Sequence, residues 1–148
     1  MNSTKETLEL ILNKCRDKEY IVSLDLDGLS RMQISLATHN AFLGQIVADL
    51  EKISNDREAS FEFQREKIYA THRKAGETIA DSDNYKRIEA ESARQLAINA
   101  NHDWKQMANL RKDIQNLIEA VRSRLSLLKD ERRISNETPN TCHNINIV

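Results

Sequence analysis

A heptad pattern in the first half of the chain is the feature that most restricts the fold. Starting at Leu29, seven of eight positions reached by alternating steps of three and four residues are apolar. This spacing places side chains on one seam of an α-helix, and such a seam packs against another helix. The eight positions are Leu29, Met32, Leu36, His39, Leu43, Ile46, Leu50 and Ile53.

A second apolar stripe at helical spacing occupies residues 93–128. Only three Gly and one Pro occur in the 148 residues, so little interrupts either helix. We therefore predict an all-α protein in which a helix over 29–74 folds back on a second helix that ends near residue 133. The result is a long, coiled-coil-like antiparallel hairpin. The second stripe consists of Ala93, Leu96, Ala100, Trp104, Met107, Leu110, Ile114, Leu117, Val121, Leu125 and Leu128.

The loop of this hairpin is marked by Gly76. It follows a basic last turn that ends at Lys74, and this combination is typical of a helix C-terminus. Asp81 and Ser82 are the candidates for the N-cap of the helix that follows, because short polar side chains accept hydrogen bonds from free backbone N–H groups.

Residues 1–28 are predicted to form a short N-terminal helix and a turn. A capping-box pattern that begins at Ser3 precedes an amphipathic helix of about residues 4–16. The Tyr-Ile-Val run at 20–22 is β-prone, and the Asp-Leu-Asp-Gly run at 25–28 predicts a turn that caps the first long helix.

The hairpin itself covers residues 29–133, and the polar stretch 134–148 predicts a flexible C-terminal tail. Apolar side positions such as Phe61 and Leu127 widen the apolar face beyond a single seam. Because two helices cannot bury so wide a face between them, we expect the protein to assemble as a homo-oligomer or to dock onto a partner.

The sequence lacks the patterns of an enzyme or a metal site. Three scattered Gly cannot form a phosphate-binding loop. Cys15 lies on an apolar stripe and reads as a core residue, while Cys142 and His143 adjoin without further ligands. His72 and His102 fall on opposite arms of the hairpin, and we interpret them as solvated surface histidines. We expect no catalytic residue, no metal and no cofactor.

The sequence also lacks the patterns of a membrane protein. No run approaches the ~20 consecutive apolar residues that a membrane span needs. The N-terminus shows neither a signal peptide nor a transit pattern, so we expect a cytoplasmic protein.

The charge is distributed unevenly along the chain, and two interpretations of its basic part are open. Residues 57–133 carry a net charge of +3, against −3 for residues 1–56. Cations of both arms meet near the loop together with aromatic rings, and this combination is typical of sequence-tolerant single-strand binding. The alternative is a solvated charged surface on which the cations pair with Glu58, Glu62, Glu66 and Glu91. The cations are Arg57, Arg65, Lys67, Arg73 and Lys74 on one arm and Lys86, Arg87 and Arg94 on the other; the rings are Phe61, Phe63, Tyr69 and Tyr85.

The chain resembles the UvsY-type recombination mediators of tailed phages over roughly residues 29–133. The resemblance lies in the long helix, the basic stretch before a Gly-marked loop, and the run Leu-Ile-Glu-Ala-Val-Arg-Ser-Arg at 117–124. It implies a non-enzymatic, ring-like oligomer that binds single-stranded DNA and helps a RecA-like recombinase displace single-strand-binding protein. The corresponding location is the cytoplasm of a phage-infected bacterium.

The resemblance also implies residues for both activities. Lys67, Arg73 and Lys74, with Arg65 as a neighbour, match the stretch that holds the DNA contacts of the family. Together with Lys86 and Arg87 from the other arm, they form the predicted DNA-binding set. The analogues of the oligomerisation residues are Ile114, Leu117, Val121, Leu125 and Leu128.

Two other functions remain open from the sequence. One is a helical adaptor or inhibitor that binds another protein through an exposed apolar stripe. The other is a purely structural coiled-coil oligomer. The N-terminal helix, the polar tail and the net charge of −1 depart from the mediator pattern and leave the partner contacts open.

Overall fold

The computed structural model describes residues 18–137 together with Glu6, Leu10 and Asn13. The two long helices pack antiparallel, so the predicted all-α hairpin is confirmed. Assembly into an oligomer stays a prediction. The helices of the described part are α1 (Lys18–Ser23), α2 (Leu26–Lys74), α3 (Ile79–Glu89) and α4 (Glu91–Glu137).

The chain divides into two compact units. The terminal unit comprises residues 1–39 and 113–148, and the loop unit comprises residues 40–112. Each has its own buried apolar side chains, which come from α2, from α4 and from Ala90 just before α4. They are Leu29, Leu36, Ile114, Leu117, Val121 and Leu125 in the terminal unit and Leu43, Val47, Ala90, Ala93, Ala97 and Met107 in the loop unit.

The start of α2 is capped as the Asp-Leu-Asp-Gly run predicts. Asp25 Oδ1 accepts a hydrogen bond of 2.7 Å from the backbone N–H of Gly28. The helix begins at Leu26, three residues before the predicted start. The Tyr-Ile-Val run at 20–22 lies inside the helix α1. The β-propensity of these three residues therefore did not predict their conformation.

The loop after α2 confirms one sequence signal and corrects another. The helix ends at Lys74, and Gly76 adopts a φ of +88°, which an L side chain rarely tolerates. The N-cap of α3 is Thr78, not Asp81 or Ser82. Thr78 Oγ1 accepts a hydrogen bond of 3.2 Å from the N–H of Asp81, which places the Asp81 carboxylate in the positive first turn of the helix.

The second arm is two helices rather than the single helix predicted. Ala90 separates α3 from α4, with φ −86° and ψ 1°. Its side chain is buried, so the break between the two helices coincides with a small residue in the core. The last helix runs to Glu137, four residues beyond the predicted end at residue 133.

Several predictions at the chain ends lie outside the described residues. Of the predicted helix at 4–16, only Glu6, Leu10 and Asn13 are described, and all three are helical and exposed. Cys15, residues 138–148 of the predicted tail, and the Cys-His pair within that tail are not among the described residues. None of the helices in the described part of the chain combines the length and apolar character needed to cross a membrane.

The predicted heptad seam is buried only at its beginning. Leu29, Leu36 and Leu43 are fully or almost fully buried, whereas Ile53 is 48% exposed. The buried line of α2 passes instead to Val47 and Ser54. A straight α-helix drifts by about 20° per heptad relative to a strict seven-residue repeat, so the original line rotates away from the partner helix.

The apolar positions predicted for α4 also depart from the buried side of the helix, in this case near its start. Leu96 is 51% exposed, and the buried line there passes through Ala93 and Ala97.

Candidate nucleic-acid interface

The six predicted DNA-binding cations all lie in the loop unit. Arg65, Lys67, Arg73 and Lys74 occupy the second half of α2, and Lys86 and Arg87 occupy α3. Their surroundings divide them into two groups: cations with partners inside the chain, and cations without.

Arg65 belongs to the first group. Its guanidinium lies 2.9 Å from a Glu62 carboxylate oxygen and 3.5 Å from a Glu66 oxygen. It also lies 5.8 Å from the centroid of the Phe61 ring. This residue therefore fits the solvated, paired surface that the sequence left open as an alternative.

The cations of α3 also have neighbours. Lys86 Nζ lies 2.9 Å from Asp83 and 4.8 Å from the centroid of the Tyr69 ring. Arg87 donates a hydrogen bond of 3.3 Å to Asn84 Oδ1. Lys86 is partly buried, whereas Arg87 is exposed, and contacts between exposed side chains stabilise a protein by only about 0–1 kcal/mol.

Arg73 has a backbone partner. Its guanidinium donates to the carbonyl oxygen of Glu77, which ties the end of α2 to the loop. Four of the six predicted cations thus make contacts within the chain.

Lys67 and Lys74 form the second group. Both are exposed, and within the described residues no carboxylate lies within 4.0 Å of either ammonium. Their spacing of seven residues places them on one face of α2, about 10 Å apart along the axis. Arg57, ten residues before Lys67 and outside the predicted set, is likewise exposed and unpaired among the described residues.

These three cations lie on one line of exposed polar residues, which we call the cationic stripe. Its members follow one another by steps of three and four, and none is acidic. Three acids of the same half of α2, Glu58, Glu62 and Glu66, recur every four residues along a different face, while Asp56 directly precedes Arg57 and lies four residues before Ser60. The cationic stripe consists of Arg57, Ser60, Gln64, Lys67, Thr71 and Lys74.

Phe63 adds an aromatic ring to this face. It precedes Lys67 by four residues and is 70% exposed. The other three rings of the predicted cluster already contact side chains of the chain: Phe61 contacts Arg65, Tyr69 contacts Lys86, and Tyr85 contacts His72. A free ring beside unpaired cations is the combination that binds a nucleic-acid strand by stacking and by charge.

His72 corrects a prediction, because it is not a solvated surface histidine. Its side chain is only 19% exposed, with Nδ1 3.1 Å from Glu77 and Nε2 3.0 Å from Glu89. The ring stacks on Tyr85 with centroids 4.2 Å apart and planes 5° apart. The hydrogen bond with Glu77 is the main cause of a raised pKa of His72; desolvation opposes it, and the hydrogen bond with Glu89 adds to it.

No local sequence signal reveals this arrangement, because Glu89 lies 17 residues from His72 and only the loop brings the two together. His102, the other histidine of the pair, is exposed as predicted and lies beside Gln106 rather than near His72.

The predicted oligomerisation residues lie in the terminal unit. Ile114, Leu117, Val121 and Leu125 are buried within the single chain, and Leu128 is partly exposed. A side chain without exposed surface can contact another copy only if the packing inside the chain opens. Their role in assembly stays a prediction.

Within the described residues, no group of three or more His, Cys, Asp or Glu side chains is arranged to hold a metal ion. Comparison with protein-family models, with curated proteins and with solved structures gives no match. The resemblance to UvsY-type mediators stays a prediction from the sequence.

Proposed function

We propose that this protein binds single-stranded DNA along the cationic stripe of α2 and acts as a recombination mediator. The observation that supports DNA binding is the single face of α2 that carries Lys67, Lys74 and the exposed ring of Phe63, without an acidic residue among them. Ammonium groups contact phosphates and an exposed ring stacks on any base, so we expect binding that tolerates different sequences.

The six cations contribute unequally in this proposal. Lys67 and Lys74 contact phosphates first, because neither has a carboxylate partner among the described residues that would have to be displaced. Arg65, Lys86 and Arg87 contribute only after exchanging a partner, and they therefore add less free energy of binding.

The mediator role rests on the resemblance of the chain to the UvsY type. In that role a homo-oligomer presents several stripes to one strand, so that weak contacts add up to tight binding. The bound strand is then passed to a RecA-like recombinase while single-strand-binding protein is displaced, in DNA recombination and repair within the cytoplasm of a phage-infected bacterium. The protein performs no catalysis of its own.

Binding of a labelled oligothymidine, measured by fluorescence anisotropy over a series of salt concentrations, tests the DNA contact. For the Lys67→Ala/Lys74→Ala variant we expect a clear loss of affinity at low salt. The slope of log K against log salt is negative, and its magnitude should decrease by about 1.4, since each phosphate contact to a single strand contributes about 0.7.

The matched control is Arg65→Ala/Arg87→Ala, which also removes two positive charges from the loop unit. It should weaken binding less, because both side chains already have partners in the chain. Equal losses in the two variants would mean that the protein attracts DNA only by its overall charge. Unchanged affinity in the first variant would remove the cationic stripe as the site.

The adaptor function is the second candidate, and two exposed apolar side chains of α2 favour it. Ile34 is 69% exposed and Phe42 is 53% exposed. Isolated exposed apolar residues are common on proteins, so this observation supports the adaptor less than the stripe supports DNA binding. Binding of a purified recombinase that is insensitive to nuclease but lost in Ile34→Ser/Phe42→Ser would favour the adaptor.

A further inference from the structure

Three segments of the loop unit meet at the His72 side chain. His72 lies in the last turn of α2, Glu77 lies in the loop, and Glu89 lies in the last turn of α3. Both ring nitrogens of His72 are at hydrogen-bond distance from a carboxylate oxygen, at 3.1 Å and 3.0 Å. Tyr85 of α3 covers one face of the ring.

This geometry favours the charged form of the imidazole. A carboxylate can only accept hydrogen bonds, whereas a neutral imidazole has a single N–H to donate. Two carboxylates on the two ring nitrogens are therefore both satisfied only by the imidazolium. When the proton leaves, one nitrogen turns a lone pair towards a carboxylate oxygen, and that contact becomes repulsive.

We propose that His72 is a pH-sensitive latch, which in its protonated form holds α3 against the end of α2 and thereby controls cations in and next to the stripe. The docking of α3 stands on the geometry alone. The effect on DNA rests on the proposed function, because it concerns cations of the predicted DNA-binding set. Arg73 and Lys74 directly follow His72 in the sequence, and Lys86 follows Tyr85.

The surrounding charges make His72 the decisive group of this latch. From the loop it faces Glu77, and from α3 it faces Glu89 and Tyr85. Among the described residues, neither Glu77 nor Glu89 has a Lys or Arg side chain within ion-pair distance. Arg73 on α2 reaches only the backbone carbonyl of Glu77.

Loss of the His72 proton therefore leaves two uncompensated carboxylates. The latch then repels α3 from the end of α2, and it also lowers the positive potential beside Lys74. For this reason the docking of α3 and the attraction of a polyanion should weaken together.

The direction with pH follows from the raised pKa of His72. A histidine whose pKa is higher in the folded state stabilises the fold fully below its ordinary value of about 6.5, and this contribution is lost as pH rises through the raised value. The latch is thus closed in mildly acidic solution and opens towards alkaline pH.

Hydrogen exchange of the α3 amides, at pH values of about 6 and about 8.5 and corrected for intrinsic exchange rates, tests the latch directly. In the wild-type protein we expect protection of α3 to fall by about fivefold or more between the two values. His72→Gln should show low protection that no longer depends on pH. The matched control His102→Gln, which changes an exposed histidine, should behave as the wild type.

A wild-type titration of the His72 imidazole followed by NMR supplies a measurement that needs no variant. The midpoint of the change in α3 protection should coincide with the His72 midpoint. An α3 protection that does not follow the His72 titration, or an unchanged pH dependence in His72→Gln, would overturn the proposal.

Oligothymidine binding at the same two pH values separates this inference from the proposed function. Protection of α3 that follows His72 without any DNA binding would keep the latch and remove the function. DNA binding with α3 protection independent of pH would keep the function and remove the latch. If both stand, we expect the wild type to lose severalfold more affinity with rising pH than His72→Gln.

Discussion

At the scale of single residues, the partner of a cation decides its role more than its position in the chain does. Arg65 and Lys67 are two residues apart on the same helix, yet Arg65 is paired with Glu62 while Lys67 has no carboxylate neighbour among the described residues. An unpaired ammonium gains a partner when a phosphate arrives, whereas a paired guanidinium merely exchanges one.

Phe63 is the residue whose replacement isolates the aromatic contribution. Phe63→Ala should weaken oligothymidine binding by roughly 5- to 100-fold, which corresponds to about 1–3 kcal/mol for stacking on one base. The salt slope should stay unchanged, since no cation is removed. Because the ring is exposed, the thermal midpoint should also stay unchanged. Anisotropy and circular dichroism measure the two effects, and a changed salt slope would contradict the stacking role.

At the scale of the elements, the candidate site follows from the drift of a heptad line around an α-helix, which moves that line from the buried side to the exposed side. The heptad line that begins at Leu29 is buried at Leu29, Leu36 and Leu43 and is half exposed at Ile53. Continued by the same steps, it becomes the cationic stripe, beginning with Arg57. One line of the sequence thus serves as a core in the first half of α2 and as a solvated surface in the second half.

Two substitutions on this line test the rotation. Leu43→Ala should lower the free energy of unfolding by about 2–5 kcal/mol, because it opens a cavity at a buried position. Ile53→Ala should cost less than about 1 kcal/mol, because the side chain is half exposed. Urea unfolding followed by circular dichroism compares the two, and similar losses would show that the heptad seam stays buried along its whole length.

At the scale of the whole molecule, the buried side chains of α4 stabilise the single chain. Ile114 and Val121 have no exposed surface, and they pack in the terminal unit. The same residues belong to the predicted oligomerisation set. Intrachain packing and assembly differ in one measurable respect, because only assembly depends on protein concentration.

Ile114→Ala separates these two roles. If the residue acts within the chain, the free energy of unfolding should fall by about 2–5 kcal/mol at every protein concentration. Unfolding curves recorded at dilutions spanning about two orders of magnitude provide the measurement. A loss that grows on dilution, together with a smaller mass by light scattering, would instead assign Ile114 to assembly.

Local chemistry in the sequence determined the two long helices and the signals at both ends of α2, because helix formation, capping and termination depend on residues within a few positions of one another. The Asp25 cap and the stop at Gly76 are of this kind. The N-cap at Thr78 and the division of the second arm at Ala90 are exceptions. Even the errors of a few residues at Leu26 and Glu137 concern only where a helix begins or ends.

The tertiary structure alone decided which side of α2 is exposed and what His72 contacts, whereas the pairs of Arg65 and Lys86 join residues three positions apart on one helix. The exposed side of α2 depends on a rotation of only about 20° per heptad, which accumulates over the helix and is invisible in any short window of sequence. The contact between His72 and Glu89 joins residues 17 positions apart, and it exists only because the loop turns α3 back onto the end of α2.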